Sequence, residues 1–337
     1  MKYVFRCDSS YIIGSGHIMR CISLAKLLNG EIHFICKKLP SNINSHIINN
    51  QFLLHEVEDS DTIFSELEIV SEIILKINPD VLIVDHYSLG LSWEEYFSQR
   101  VKKLLIIDDI ARQHIDTKNS AILDQNFRTK VPLEYKKKQS TMFLGPSYCL
   151  LAEKFRLVLG ESLVFNDKVL DVMIFFGGSD SHSQTLRLAK IISKFSESIN
   201  WTLVCGAQNQ DLRSINKAVD SLKNARTLVN IQNMHEVMMN SDLFIGAGGT
   251  TTWERLKMAL PSICISVASN QVVLSHELET AGVISYLGPH DNVSDREIIH
   301  RVKEVIESPH TRKRMVEKGL DMNVGSKLID VINYLKF

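Results

Sequence analysis

Short apolar runs alternate along this chain with longer segments in which apolar residues recur every three or four positions. The short runs are rich in Val, Ile and Leu and predict buried β-strands, whereas the longer segments predict amphipathic helices. In the first half, strands are predicted at residues 2–6, 32–36, 81–85 and 104–108. In the second half, they are predicted at residues 169–176, 201–205, 226–230, 243–246 and 263–267. This alternation favours the α/β class with mostly parallel sheets.

The helical segments connect these strands and also close the chain. Residues 17–28 and 325–337 both carry apolar residues at spacings of three and four, so each predicts an amphipathic helix. Residues 132–153 hold a run of lysines and a Leu-Gly-Pro turn, and we expect them to form a connector.

The length of the chain predicts two domains, because 337 residues exceed what a single hydrophobic core usually supports. We expect an N-terminal α/β domain at residues 1–155 and a C-terminal α/β domain at residues 165–322. The closing helix, within residues 323–337, is expected to pack back on the N-terminal domain.

The amino-acid composition limits which kinds of binding partner and which cellular location are expected. Lys and Arg number 38 against 39 acidic residues, so neither nucleic acid nor an anionic membrane is expected as the main partner. The sequence has no apolar run of about 18 residues and no signal-peptide pattern, which predicts a cytoplasmic protein without stable membrane association. The six cysteines are scattered, with no C-x-x-C pair, and are expected to be reduced core residues. No metal site is predicted.

The segment after the first predicted strand is the first candidate for chemistry. The strand ends at Asp8, and the chain turns at Gly14 and Gly16 before His17 opens a helix. Glycines at such a turn let a ligand approach the backbone, and the helix dipole at this end tends to keep an imidazole neutral. A neutral histidine can serve as a general base, so His17 is the candidate catalytic residue. The alternative is a tight turn without chemistry.

A glycine-rich loop at residues 246–251 is the best candidate anion site. It combines Gly248 and Gly249 with the hydroxyl groups of Thr250 and Thr251 at a predicted helix start, where free N–H groups bind phosphate. No Gly-Lys-Ser/Thr follows, so the loop is not a P-loop. Glu254, one turn further, can accept hydrogen bonds from a ribose; alternatively, it only complements the helix dipole.

Other polar residues follow predicted strands at the same sheet edges. Asp85-His86-Tyr87 follows the third strand, and a carboxylate there can orient His17 or raise its basicity. The alternative for these three residues is a turn with a packed tyrosine. Asn270 and Gln271 supply amide groups that can bind sugar hydroxyls or acetamido groups.

Taken together, these residues resemble the family of PseG-type UDP-sugar hydrolases, which act in pseudaminic acid biosynthesis. The resemblance covers most of the chain and is carried by residues 5–8, 14–21, 85–87, 107–109, 176–180, 248–255, 270 and 271. That family is similar to the MurG-type GT-B glycosyltransferases, which implies two Rossmann-like domains with mostly parallel sheets facing a central cleft. Ala152 departs from the family pattern, which has an arginine there.

The resemblance also implies roles for individual residues. His17 would be the general base, Glu254 would bind the uridine ribose, and the loop from Gly248 to Thr251 would receive the diphosphate. The backbone of Ile231 would meet the uracil. The remaining positions implied to bind substrate are Asp8, Gly14, Gly16, Arg20, Tyr87, Ser179, Asn270 and Gln271.

The function expected on this basis is hydrolysis of UDP-2,4-diacetamido-2,4,6-trideoxy-β-L-altropyranose to the free sugar and UDP. Water activated by His17 would attack the anomeric carbon with inversion, without a metal or cofactor. The alternatives are an inverting GT-B glycosyltransferase that uses a UDP-sugar donor and a sugar-nucleotide-binding module without turnover.

Overall fold

The computed structural model describes residues 1–59, 62–137, 139–158, 163 and 165–336. The chain divides into two compact units. The N-terminal unit comprises Met1–Ala152 together with Gly325–Phe337, and the C-terminal unit comprises Glu153–Val324. Among the described residues, every helix is too short or too polar to cross a lipid bilayer.

The N-terminal unit is built on a parallel sheet. Its strands are β1 (Lys2–Cys7), β2 (Glu31–Lys37), β3 (Leu53–Val57), β4 (Val81–Asp85), β5 (Lys103–Ile107), β6 (Ser120–Asp124) and β7 (Thr141–Leu144). Within the described residues, these seven strands follow the order β3-β2-β1-β4-β5-β6-β7. Every pair of neighbouring strands is parallel, as the alternating pattern predicts.

Helices cover both faces of this sheet. They are α1 (Gly16–Ala25), α2 (Ser45–Asn49), α3 (Ile63–Ile77), α4 (Leu91–Ser98) and, from the end of the chain, α13 (Leu328–Leu335). Alternate residues of β1 point to opposite faces, so Phe5 joins one core and Val4 the other. The core that contains Phe5 also contains residues of α1 and α13, and the opposite core contains residues of α3 and α4.

All four strands predicted in the first half are confirmed to within one residue at each end. The predicted connector is wrong, because it contains β7, which pairs with β6. Strands β3 and β7 lie at the two edges of the sheet and carry exposed polar residues such as Glu56 and Thr141. Edge strands of this kind lack the continuous apolar run by which the buried strands are recognised.

The C-terminal unit has the same architecture, a parallel sheet whose strands are connected by helices. Its strands are β8 (Asp171–Phe175), β9 (Asn200–Cys205), β10 (Ala225–Val229), β11 (Leu243–Ala247), β12 (Ser262–Ser266) and β13 (Ser285–Pro289), all parallel, in the order β10-β9-β8-β11-β12-β13. Its helices are α5 (Glu153–Arg156), α6 (Gln184–Ile191), α7 (Leu212–Val219), α8 (Met234–Met239), α9 (Thr251–Lys257), α10 (Ser269–Thr280), α11 (Asp295–Glu307) and α12 (Pro309–Asp321). Five of these strands are predicted; β13 is missed because it ends in Gly288 and Pro289, residues typical of turns.

Each sheet has one position at which the order of strands reverses. In the N-terminal unit, β1, β2 and β3 run outward in one direction, and β4 then returns to the other side of β1. In the C-terminal unit, β8, β9 and β10 run outward, and β11 returns beside β8. Loops that leave the carboxyl ends of the two strands at such a reversal diverge and leave a crevice, where α/β proteins bind ligands.

The six cysteines are all buried, as expected for core residues. Burial raises the pKa of the Cys7 thiol, which lowers its reactivity at neutral pH.

Candidate active site

The loop between β1 and α1 leads from the strand reversal of the N-terminal unit into the helix that carries His17. Gly14 has a φ of 81° and donates its N–H to the Ser10 carbonyl at 2.8 Å, so the turn needs a residue that tolerates this conformation. Helix α1 begins at Gly16. His17 is therefore in the first turn of α1, and it is 6% exposed.

His17 is held through one ring nitrogen. Its Nδ1 lies 2.6 Å from Oδ1 of Asp85, the last residue of β4. An ionised carboxylate only accepts hydrogen bonds, so Nδ1 carries the proton and Nε2 presents a lone pair. Among the described residues, Nε2 has no hydrogen-bond partner. The ring of Tyr87 meets the imidazole edge-on, with the centroids 4.6 Å apart.

Asp85 is a buried carboxylate that stays ionised. Burial by itself would raise its pKa, but Arg20 and His17 outweigh that effect and hold the pKa well below its usual range. Arg20 lies one turn after His17 on α1 and is itself buried against Asp85. A carboxylate fixed on the Nδ1 side of a histidine is the arrangement that orients a general base.

Asp8 is also buried, and both of its carboxylate oxygens accept hydrogen bonds from protein groups. Oδ1 accepts from Arg6 Nη1 at 2.6 Å and from the Lys37 backbone N–H at 2.7 Å, and Oδ2 lies 2.9 Å from His86 Nε2. The Ser88 backbone N–H donates to His86 Nδ1, so Nε2 is the protonated nitrogen. Burial lowers the pKa of His86, which favours this neutral form. The substrate contact expected for Asp8 stays a prediction.

In the C-terminal unit, the glycine-rich loop joins β11 to α9 at the strand reversal. A Cβ on Gly246 would lie 1.9 Å from the carbonyl oxygen of Phe175 on β8, so only glycine fits there. A Cβ on Gly248 would lie 2.5 Å from the Ser275 hydroxyl on α10, whereas Gly249 has more room. The loop ends at Thr250, the residue before α9.

Glu254 follows in the first turn of α9. It is half-buried, and among the described residues its carboxyl group has no hydrogen bond or ion pair. Burial raises the pKa of Glu254 to about 7, although nearby Arg255 opposes the shift. The Arg255 guanidinium instead donates to Thr252 Oγ1 at 2.8 Å and lies over the Phe244 ring. A carboxylate with free acceptor capacity is suited to hold a polar ligand group.

Three other predicted ligand positions follow strands at the same edge of this sheet. Ser179 lies in the loop after β8, where Asp180 caps α6 through the N–H groups of the next helix turn. Ile231 lies between β10 and α8 and is half-buried. Gln271 on α10 accepts from the Val267 N–H at 3.0 Å, next to Asn270.

Sequence reasoning identified His17, Asp85 and Tyr87, and the structure brings these three together. It included Asp109 among the residues that carry the family resemblance but gave it no role, and in the structure Asp109, which follows β5, contacts Arg20. The Asp108-Asp109 pair at a predicted strand end was the available signal. Within the described residues, no group of three or more His, Cys, Asp or Glu side chains is arranged to hold a metal ion.

The two parallel-sheet, Rossmann-like units give this protein the fold of the GT-B glycosyltransferases. The structure resembles that of Acinetobacter baumannii MurG with a TM-score of 0.66 and 12% identity, covering 99% of each chain. It resembles the spinosyn rhamnosyltransferase SpnG in complex with spinosyn aglycone with a TM-score of 0.70 and 12% identity, covering 99% of this chain and 100% of SpnG. This confirms the predicted fold class.

Comparison of sequences adds three findings. Residues 172–328 match the Glycosyltransferase family 28 C-terminal domain. The chain is 25% identical over 276 residues to the Campylobacter jejuni UDP-2,4-diacetamido-2,4,6-trideoxy-beta-L-altropyranose hydrolase, covering 80% of this chain and 93% of that protein. It is 26% identical to Methanocaldococcus jannaschii protein MJ1062 over 79% of this chain, but the match spans only 55% of MJ1062.

Proposed function

We propose that this protein is an enzyme that hydrolyses a UDP-sugar to the free sugar and UDP. The observation that carries the proposal is the His17–Asp85 pair, in which a buried carboxylate holds Nδ1 and leaves Nε2 available. The similarity to the Campylobacter hydrolase supports UDP-2,4-diacetamido-2,4,6-trideoxy-β-L-altropyranose as the substrate. The proposed role is therefore a step of pseudaminic acid biosynthesis.

In the proposed reaction, His17 Nε2 accepts a proton from water as the water oxygen attacks the anomeric carbon. A new bond forms between this oxygen and the carbon, and the bond from the carbon to the β-phosphate oxygen breaks. The bonding electrons leave with UDP, and the sugar inverts its configuration. The Nδ1 bond to Asp85 stabilises the imidazolium that forms during the step.

The C-terminal unit supplies the proposed nucleotide-binding residues. Backbone N–H groups of the loop from Gly248 to Thr251 would bind the diphosphate, because developing negative charge on a leaving group is stabilised by oriented donors. Glu254 would accept from the ribose hydroxyls, which its unpaired carboxylate supports. The backbone at Ile231 would contact the uracil. Ser179, Asn270 and Gln271 are proposed to complete this set.

A glycosyltransferase is the second candidate, and the match to the Glycosyltransferase family 28 C-terminal domain favours it. In that case, a sugar hydroxyl would replace water as the nucleophile, with His17 in the same role. A binding module without turnover is the third candidate, and the free Nε2 of His17 beside its orienting carboxylate argues against it.

One experiment separates the three candidates. The protein is incubated with the UDP-diacetamido-trideoxy sugar in ¹⁸O-labelled water, and the anomeric signals are followed by NMR while mass spectrometry locates the label. Hydrolysis as proposed gives free sugar that carries the label and has the inverted configuration. Label in UDP contradicts attack at carbon, and turnover only after a sugar acceptor is added supports the glycosyltransferase. UDP-sugar binding without either product supports the binding module.

A further inference from the structure

Arg20 forms a clamp on the carboxylate that orients His17. Its Nε and Nη2 atoms donate to the two oxygens of Asp85, each at 2.6 Å, in the bidentate geometry that is strongest for an arginine and a carboxylate. Its Nη1 donates to Asp109 Oδ2 at 2.8 Å. Arg20 is 4% exposed, so the guanidinium lies between two carboxylates and is nearly closed to solvent.

The position of Arg20 follows from the helix. His17 and Arg20 are three residues apart on α1 and therefore share a face, and both reach the end of β4. Cys21 follows on the same helix, with Sγ 3.6 Å from Asp85 Oδ2. Asp85 is thus held by three side chains of α1, and each of its oxygens accepts at least two contacts.

The charges around His17 come from four elements, and Arg20 also approaches the ring itself, with its Nη2 3.1 Å from His17 Nδ1. Arg20 lies on α1, and Asp85, His86 and Tyr87 lie at and after the end of β4. Asp109, after β5, lies behind Arg20. Asp8, after β1, is paired with Arg6 and with His86, the neutral histidine described above.

A buried carboxylate without a compensating cation would draw a proton onto the histidine that contacts it, giving an imidazolium–carboxylate pair. The positive charge of Arg20 already compensates Asp85, so His17 does not need to be charged. The hydrogen bond from Nδ1 is then a bond from a neutral ring, and the Nε2 lone pair is retained. Asp109 anchors the third side of the guanidinium and adds a more distant negative charge.

We propose that Arg20, anchored by Asp109, is a positioning residue that keeps His17 neutral and aligned as a base through Asp85. It acts on His17 rather than by contact with the substrate, which differs from the substrate-binding role expected for Arg20 from the sequence. The catalytic consequence rests on the proposed function, but the effect on the protonation of His17 does not.

The proposal predicts opposite effects for two substitutions. Arg20→Gln removes the cation, so the titration midpoint of His17 rises by about one to two pH units. Asp109→Asn keeps an acceptor for Arg20 but removes a negative charge, so the midpoint falls by a smaller amount. Arg20→Lys keeps the charge and loses the two-pronged contact, so the midpoint stays near that of the wild type while kcat falls.

The midpoints are measured on the full chain by NMR with ¹⁵N-labelled histidine, and the His17 signal is assigned by its absence in His17→Asn. The matched control is Arg187→Gln, because Arg187 pairs with Asp295 at 2.6 Å in the C-terminal unit and contacts neither Asp85 nor Asp109. This control is expected to leave the His17 midpoint unchanged. The pH profile of kcat/KM for the UDP-sugar is recorded in parallel, and its acidic limb is expected to shift with the NMR midpoint.

A midpoint that is unchanged or lower in Arg20→Gln overturns the proposal, as does one that is unchanged or higher in Asp109→Asn. If Arg20→Gln does not fold, the sign of the shift in Asp109→Asn decides. Opposite shifts without any hydrolysis would refute the proposed function and leave the role of Arg20 in place. Hydrolysis without a shift of the His17 midpoint in either variant would support the proposed function and refute the role of Arg20.

Discussion

A histidine can act as a general base only while one ring nitrogen keeps a free lone pair, and a partner on the other nitrogen fixes the orientation of the ring. Three histidines of the N-terminal unit differ in these respects. His114 has both nitrogens on carboxylates, Glu94 at 2.7 Å and Asp108 at 2.9 Å, so it is an imidazolium. His86 accepts on one nitrogen and donates from the other, and it is neutral with no free nitrogen. Only His17 of these three combines a held Nδ1 with a free Nε2.

His17→Asn is therefore expected to lower the rate of UDP-sugar hydrolysis by about 10² to 10⁴, the usual contribution of a general base. The affinity for UDP is expected to stay nearly constant, because the base acts on water. Steady-state kinetics and calorimetric titration of UDP measure the two effects. His310→Asn, at an exposed position on α12, is the control. An equal loss of UDP affinity would make His17 a phosphate ligand instead.

Glu254→Gln is expected to weaken UDP binding, because an amide accepts ribose hydroxyls less strongly than a carboxylate. The variant is also expected to differ from the wild type in how its stability depends on pH. The folded-state pKa of about 7 lies above the unfolded value of 4.5, so the stability contributed by the protonated acid is present below pH 4.5 and is lost as the pH rises towards 7. The variant is therefore expected to be more stable than the wild type at pH 8, by on the order of 2 kcal/mol, and equally stable at pH 4.

Urea denaturation at the two pH values measures this difference for Glu254→Gln. Glu317→Gln, at an exposed position on α12, is the control and is expected to show no such pH dependence. A Glu254→Gln variant with unchanged UDP affinity would contradict the ribose role, whatever its stability.

At the scale of elements, the carboxyl edge of the N-terminal sheet is lined by aspartates that arginine or histidine neutralises. Strands β1, β4, β5 and β6 are followed by, or end in, an aspartate, and the pairs are Asp8 with Arg6, Asp85 with Arg20, Asp108 with Arg112 and Asp124 with Arg128. Neighbouring strands thus present fixed, charge-compensated side chains at one edge. This rigid polar layer holds the loop residues that carry the candidate chemistry.

His114 links Glu94 on α4 to Asp108, which follows β5. Replacing His114 therefore tests how much this polar layer contributes to stability. Burial alone would lower the pKa of His114, but Asp108, which follows β5, and Glu94 on α4 raise it. His114→Gln leaves the buried Glu94 carboxylate without its cation and leaves Asp108 with Arg112 alone, which is expected to cost about 3 kcal/mol of unfolding free energy. Because the folded-state pKa is raised, this stabilisation is complete below pH 6.5 and is lost as the pH rises through the folded-state value.

Urea denaturation of His114→Gln and the wild type between pH 6 and pH 10 checks this expectation, with His310→Gln as the exposed control. The difference in stability should be largest at pH 6 and should shrink with rising pH. A difference that grows with pH would mean that His114 is neutral in the folded protein.

The loop between β11 and α9 offers a matched pair of glycines. In Gly246→Ala the new Cβ would lie 1.9 Å from the Phe175 carbonyl oxygen, so β11 must move away from β8. We expect a loss of about 2 to 4 kcal/mol in unfolding free energy. In Gly249→Ala the nearest atom is Gln271 Nε2 at 3.6 Å, so stability should change little. Thermal denaturation compares the two, and equal melting temperatures would contradict the close approach of β11 and β8.

At the scale of the whole molecule, the chain leaves the N-terminal unit, forms the C-terminal unit and returns. Helix α13 places Leu328, Val331, Ile332 and Leu335 in the same core as α1. Lys103, at the start of β5, donates to the carbonyl oxygens of Tyr334 and Lys336 at the end of that helix. The last residues of the chain thus complete the core that supports β1 and α1.

Leu335→Ala is therefore expected to destabilise the N-terminal unit by about 2 to 4 kcal/mol through the cavity that it leaves. Hydrogen exchange followed by mass spectrometry should show faster exchange in β1 and β2 and unchanged exchange in β11 and β12. Ile329→Ala, at an exposed position of the same helix, is the control. Equal acceleration in both units would mean that they unfold as one.

The local pattern of apolar residues was sufficient to predict most of the buried strands, because a strand that is covered on both faces is a short apolar run in any fold. It was insufficient for the edge strands β3 and β7 and for β13, whose residues resemble those of loops. The glycine turns at Gly14 and in residues 246–249 could also be predicted from the sequence, since few other residues tolerate such turns or such a close approach to neighbouring backbone.

The sequence by itself determined the α/β class, the alternation of elements and the residue types available for chemistry, because these depend on spacing and side-chain character. The tertiary structure decided which residues are partners. Asp85 is 68 positions from His17, and Asp109 is 89 positions from Arg20. They meet because β4 folds beside β1 at the strand reversal and β5 folds beside β4. Sequence shows that a histidine follows a glycine turn; only the folded sheet shows which carboxylate holds it and which of its nitrogens is free.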